Sequence, residues 1–161
     1  MAIKGFLFDL DGVFYISKKL IDGANETIIW LKKNNIPYRF ITNTSTLSRS
    51  KLSKKLSSYG LSINSDEIIS ANYAGVLHLR ALKPQSCKLI LKDDAIDDYI
   101  EFKLDEINPE YIVIGDIENQ WNYELMNKIF NLVTKGSKII ALHKGRYYQT
   151  ESGLQIDSGA F

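Results

Sequence analysis

The sequence predicts an α/β fold built on a mostly parallel sheet, and three observations predict it. Short apolar runs alternate with amphipathic stretches at helical spacing, glycine and proline punctuate the joins, and the alternation starts afresh after Pro84. The first run, "GFLFDL" at residues 5–10, stops against Gly12 and reads as a strand. "ANETIIWLKKN" (24–34) sets Ile28 and Leu31 on one helical face. "PYRFITN" (37–43) starts after a proline and reads as a second strand. "TLSRSKLSKKLSSYG" (46–60) brings Leu47, Leu52, Leu56 and Tyr59 close to helical spacing, with Gly60 as a stop. A short strand "EIIS" and a helix "ANYAGVLHLRAL" complete this block, and Lys83-Pro84-Gln85-Ser86 reads as a junction. Beyond it come the strand "CKLILK", an acid-led helix from Asp93 to about Phe102, the strand "EYIVIG", the helix "NYELMNKIFNLVTKG" and the strand "SKIIAL". The polar, glycine-bearing tail from His143 reads as a loop or hairpin.

Composition narrows the function classes. At 161 residues with a formal net charge of +1, the chain has no sequence-wide field for nucleic acid or a membrane surface, and its lysines are interspersed with acids. No stretch matches a membrane-spanning helix or a secretory leader, so a cytoplasmic location is expected. Cys87 is the single cysteine, which excludes an internal disulfide, and its apolar setting predicts a small buried residue. His78 falls on a helical pattern and reads as a surface or packing histidine. The acids at 93, 94, 97 and 98 lie near a helix N-terminus, where negative charge is favourable, so a metal site is not expected there.

The stretch "FLFDLDGVFY" places two acids directly after an apolar strand. Side chains two apart on an extended segment share a face, so Asp9 and Asp11 can converge, and Gly12 permits a sharp turn behind them. Paired carboxylates suit a hard cation such as Mg²⁺, which keeps several waters and bridges to phosphate oxygens. They also suit a division of labour in which one acid attacks and the other moves the proton. On spacing alone, a strand ending in solvated acids explains the same residues. Thr42 and Asn43 sit at the end of the second strand, where ligands of parallel sheets collect, although capping of the helix at 46–59 is an equally simple use for them.

"FLFDLDGVFY" resembles the first motif of the haloacid dehalogenase superfamily, and "RFITNTS" resembles its second. The likeness extends through "NKIFNLVTKGSKIIALHKGRYYQTESGL" and "SGAF" to the phosphatase branch with a large α/β cap inserted after the second motif. The resemblance implies a Rossmann-like parallel-sheet core with an inserted cap: residues 1–83 as the N-terminal part of the core, 84–157 as the cap, and 158–161 as the start of the return to the core. It also implies an Mg²⁺-dependent phosphatase for small phosphate esters or phosphoramidates, with neither nucleic acid nor membrane as partner. Asp9 is implied as the nucleophile that becomes an aspartyl-phosphate and Asp11 as the general acid and base, both also metal ligands. Thr42 and the backbone amides around Gly12 and Asn43 are implied to bind phosphate. On the loop expected over the site, His143, Lys144, Arg146 and Tyr147 are candidates for reading the substrate, and a homodimer through the cap is a further expectation.

Some features depart from the family pattern. "VIGDIEN" looks like the fourth motif, but the positions for its second acid hold Gln120 and Trp121, so Gly115 and Asp116 read as a turn of the cap. The third-motif lysine and the final metal carboxylate lie beyond Phe161 in the family pattern. These 161 residues are therefore expected to resemble the first two-thirds of an enzyme, to leave one edge of strand 5–10 unpaired, and to be poorly stable and essentially inactive by themselves. A non-catalytic binding or assembly module derived from such a phosphatase is the alternative. An Asp-x-Asp glycosyltransferase fits poorly, because the second motif would then be coincidence.

Overall fold

A computed structural model describes residues 3–150 and 153–161. It is an α/β protein with two separate three-stranded parallel sheets, and the chain divides into two compact units: residues up to Thr44 with Arg49–Ala71, and Ser45–Ser48 with Asn72–Phe161.

The first unit is built on β1 (Phe6–Asp9), β4 (Tyr38–Thr42) and β5 (Ile68–Ser70), in the order β1-β4-β5. Between β1 and β4 come a two-rung hairpin, β2 (Tyr15–Ile16) with β3 (Lys19–Leu20), and helix α1 (Ala24–Lys33). Gly23 enters α1 with φ 85, a conformation that suits a residue without Cβ. Glu26 in the first turn and Lys32 and Lys33 in the last complement the helix dipole. Helix α2 (Arg49–Ser58) buries Leu52 and Leu56 and stops at Gly60, whose φ is 93. Leu10, Phe14, Leu31, Phe40, Leu52, Leu56, Leu61 and Ile68 form the buried interior of this unit. Phe14 meets Phe40 edge to face at 5.1 Å, so the turn after β1 is pinned to β4 by ring packing. The alternate residues Leu7 and Ile41 are exposed. β1 is hydrogen-bonded to β4 on one side, and among the described residues no other strand pairs with it.

The second unit carries β6 (Cys87–Ile90), β7 (Tyr111–Ile114) and β8 (Lys138–Ala141) in sequential parallel order. Residues Asn72 to Leu82 of helix α3 (Ala71–Leu82) pack with this unit, so the junction read at Pro84 lies inside it. Val76 and Leu79 of α3 join Cys87, Leu91, Ala95, Tyr99 and Val113 in one buried cluster. Helix α4 (Tyr123–Thr134) closes a second cluster of Ile90, Ile112, Ile117, Ile129 and Leu132. Asn122 caps α4, its side chain accepting the Leu125 N–H at 2.9 Å. β9 (Tyr147–Thr150) and β10 (Gly153–Ile156) pair as an antiparallel hairpin.

Two sequence readings change. The helix read from Asp93 to about Phe102 is a 3₁₀ segment, Asp93–Tyr99. Like charges four apart, Asp93 with Asp97 and Asp94 with Asp98, disfavour a regular α-helix there. The helix read over 46–59 starts at Arg49, so Thr42 and Asn43 do not cap it. Among the described residues, no helix is long and apolar enough to cross a membrane.

Candidate active site

The first-unit candidates gather at one end of its sheet. β1 and β4 are parallel and in register from Phe6 opposite Tyr38 to Asp9 opposite Ile41. Thr42, the last residue of β4, therefore stands one step beyond the partner of Asp9, and Asn43 follows it. Asp9 and Asp11 are exposed while Leu10 between them is fully buried, so the alternation along an extended segment turns both acids outward together.

The turn after β1 is tightly specified. The Leu10 carbonyl accepts the N–H groups of Phe14 at 2.9 Å, Val13 at 3.3 Å and Tyr15 at 3.4 Å. Gly12 has φ 76, and its N–H donates to the Tyr15 carbonyl at 2.8 Å. The N–H of Gly12 itself is thus used inside the turn, and Gly12 contributes the bend. Asp9 Oδ1 accepts the Leu10 N–H at 2.9 Å, which fixes the carboxylate and leaves Oδ2 with no hydrogen bond among the described residues.

Tyr15 is the neighbour the sequence reading passed over. It bridges to Asp11, is 6% exposed, and packs edge to face on Tyr59 at 5.5 Å. Burial first, then the charges of Asp11, Tyr59 and Asp9, push its hydroxyl up to about 12. Its position four residues after Asp11, behind a glycine, was the available signal. Thr44 was missed as well. Its hydroxyl lies 3.0 Å from Thr42 Oγ1, and its N–H donates to the same oxygen at 3.3 Å, so Thr42 is oriented by the turn that follows it.

Asp9 and Asp11 are the side chains here that could hold a hard cation. Carboxylate oxygens are the donor type that suits Mg²⁺, and among the described residues no cluster of three or more acidic, histidine or cysteine groups is found.

The remaining candidates belong to the second unit. His143, Lys144 and Arg146 line a cavity of about 430 Å³ walled by Trp121, Ile139 and Ala141. Tyr147 opens β9 and is 67% exposed. Asp116 follows β7 in a local turn: its carboxylate accepts the Glu118 N–H at 2.8 Å and its own N–H donates to Ser45 Oγ at 2.9 Å. Cys87 is fully buried in β6, with its thiol pushed up by burial, and His78 is exposed on α3.

Residues 6–102 match the family described as haloacid dehalogenase-like hydrolase. The chain belongs to that family. It is 30% identical over 162 residues to mouse (Mus musculus) haloacid dehalogenase-like hydrolase domain-containing protein 2, covering 99% of this chain and 61% of that protein. It is 32% identical over 168 residues to human phospholysine phosphohistidine inorganic pyrophosphate phosphatase, covering 99% of this chain and 60% of that protein. Among solved structures, the 4-nitrophenylphosphatase of Thermotoga maritima superposes with a TM-score of 0.88 at 27% identity, over 98% of this chain and 61% of that one. The p-nitrophenyl phosphatase of Archaeoglobus fulgidus gives 0.85 at 29%, over 98% and 61%. This haloacid dehalogenase-like chain thus spans about three-fifths of the length of the relatives it matches.

Proposed function

We propose that this chain carries the nucleophile half of an Mg²⁺-dependent phosphatase acting on small phosphate esters or phosphoramidates. The reading is carried by the β1–β4 register, with Asp9 opposite Ile41 and Thr42 next in line, in a chain of the haloacid dehalogenase-like family. Relatives named as phosphatases of aryl phosphates and of phospholysine, phosphohistidine and pyrophosphate support the substrate class.

In this mechanism Asp9 attacks phosphorus through the carboxylate oxygen not held by the Leu10 N–H. The bond from Asp9 to phosphorus forms as the bond to the leaving oxygen or nitrogen breaks, giving an aspartyl-phosphate. Asp11 protonates the leaving group, then takes a proton from the water that hydrolyses the intermediate. Thr42, oriented by Thr44, donates its hydroxyl to a phosphoryl oxygen. Asp9 and Asp11 would hold Mg²⁺, which would supply positive charge against the phosphate. Lys144 and Arg146, which line a cavity of the second unit, are the cations this reading assigns to an anionic substrate.

The test is turnover of 4-nitrophenyl phosphate with Mg²⁺, measured on the protein as its gene encodes it. Asp9→Asn removes the nucleophile with little change of shape and abolishes turnover. Asp11→Asn lowers it by about a hundredfold or more. Wild-type turnover in Asp9→Asn would sink the mechanism.

A further inference from the structure

We infer that His143 and Asp157 are positioning residues that lock the loop bearing Lys144 and Arg146 to the segment after β10, through an imidazole whose Nδ1 faces the Gly145 N–H and whose Nε2 faces Ser158 and Asp157. The use of that loop for substrate rests on the proposed function; the lock itself does not.

His143 Nδ1 accepts the Gly145 N–H at 3.3 Å, which requires that nitrogen to be unprotonated. The ring proton then sits on Nε2, 3.1 Å from Ser158 Oγ and 3.6 Å from Asp157 Oδ1. Both side chains are largely shielded, with 14% and 9% of their surfaces exposed. Two backbone bonds run alongside: Asp157 N–H donates to the Arg146 carbonyl and Gly159 N–H to the Gly145 carbonyl, each at 2.9 Å. Asp157 Oδ1 is in turn held by the Ser158 N–H at 2.7 Å.

The segments cross without spare room. A Cβ on Gly159 would lie 2.4 Å from the Lys144 carbonyl carbon, and one on Gly145 would lie 2.8 Å from Asp157 Oδ2. Glycine is required at 159, where the added atom would strike backbone, while at 145 the Asp157 carboxylate would have to shift.

Serine, histidine and aspartate together invite a second reading, an activated Ser158, but the geometry opposes it. A nucleophilic relay places serine on one ring nitrogen and the carboxylate on the other. Here one nitrogen, Nε2, faces both Ser158 and Asp157, and the other is engaged by a main-chain amide. Nε2–H donates to Ser158 Oγ, so the imidazole is no base toward it. His143 therefore shapes the loop rather than the chemistry, and its neighbours Lys144 and Arg146 line the same cavity as it does.

The test combines nitrogen NMR of His143 with amide exchange at Gly145 and Gly159 in the full chain. The expected native spectrum shows Nε2 protonated and Nδ1 bare. His143→Ala should speed exchange at both amides roughly five- to tenfold, the loss of one net hydrogen bond. His143→Asn, which offers an oxygen near the Nδ1 position, should restore protection at Gly145. A proton on Nδ1, or unchanged exchange in His143→Ala, overturns the lock, and the wild-type spectrum decides even if a variant fails to fold. In the enzyme encoded by the gene, His143→Ala should raise KM for 4-nitrophenyl phosphate more than it lowers kcat. Faster exchange with an unchanged KM would uphold the lock and refute the assignment of Lys144 and Arg146 to substrate.

Discussion

The alkaline limb of the stability curve should report the charge at the Asp9–Asp11 turn. Tyr15 is moved from its ordinary value of 10.0 to about 12. The folded protein therefore holds that proton more tightly than the unfolded chain. The associated stabilisation is fully present below about pH 10 and is lost as pH rises through about 12. Two units at about 1.36 kcal/mol each give about 2.7 kcal/mol as the ceiling. Tyr15→Phe keeps the ring beside Tyr59 and removes the titrating hydroxyl, so its urea-unfolding curve should lose about 1–2 kcal/mol less than wild type between about pH 8 and about pH 12. The difference in tyrosinate absorbance between the two proteins isolates this residue, because Tyr38 and Tyr99 are held up still further, mainly by burial. Asp11→Asn should lower the Tyr15 transition only part of the way, since burial outranks the Asp11 charge among its causes. Parallel alkaline limbs for wild type and Tyr15→Phe would refute the placement of Tyr15 against the acids.

Gly75→Ala gains roughly 1 kcal/mol of helix propensity but sets a methyl 2.5 Å from Tyr99 Oη and 2.4 Å from Leu142 Cδ2. Tyr99 is fixed by its hydrogen bond to the Asn72 carbonyl at 2.8 Å, so overpacking wins, and melting should show a net loss of about 1–2 kcal/mol. Gly12→Ala meets no neighbour within 4 Å, so its cost is backbone strain at φ 76, roughly 1–2 kcal/mol in denaturant titration, with Gly12→Asn milder. Cys87 should react with a thiol reagent only on unfolding, and rapid native labelling would contradict its burial.

The strands were legible because each centres on a short run of apolar residues, and "FLFD", "YRFIT" and "YIVI" each end at a polar or glycine boundary. The position of Asp9 and Thr42 at strand ends was legible because the apolar runs stop there. The β2–β3 hairpin was not, since two-residue strands hold no period and their turn uses Ser17 at φ 57 where glycine would have signalled it. Nor could the sequence show that the Gly12 amide is taken by Tyr15, or that His143 turns one nitrogen to Gly145, because both depend on contacts made after the chain has bent. The packing of α3 beside Tyr99 was equally hidden: a helical face reveals that it is buried, but not which sheet buries it.

The register that joins Asp9 to Thr42 also dictates an order of events in time. Those residues come side by side only after β1 and β4 have paired across the intervening hairpin and α1, a non-local closure with its entropy cost due in advance. The β9–β10 hairpin needs only its own turn and can form within microseconds. The loop bearing Lys144 and Arg146 leads directly into that hairpin, so a folding chain should settle that loop before Asp9 and Thr42 stand side by side.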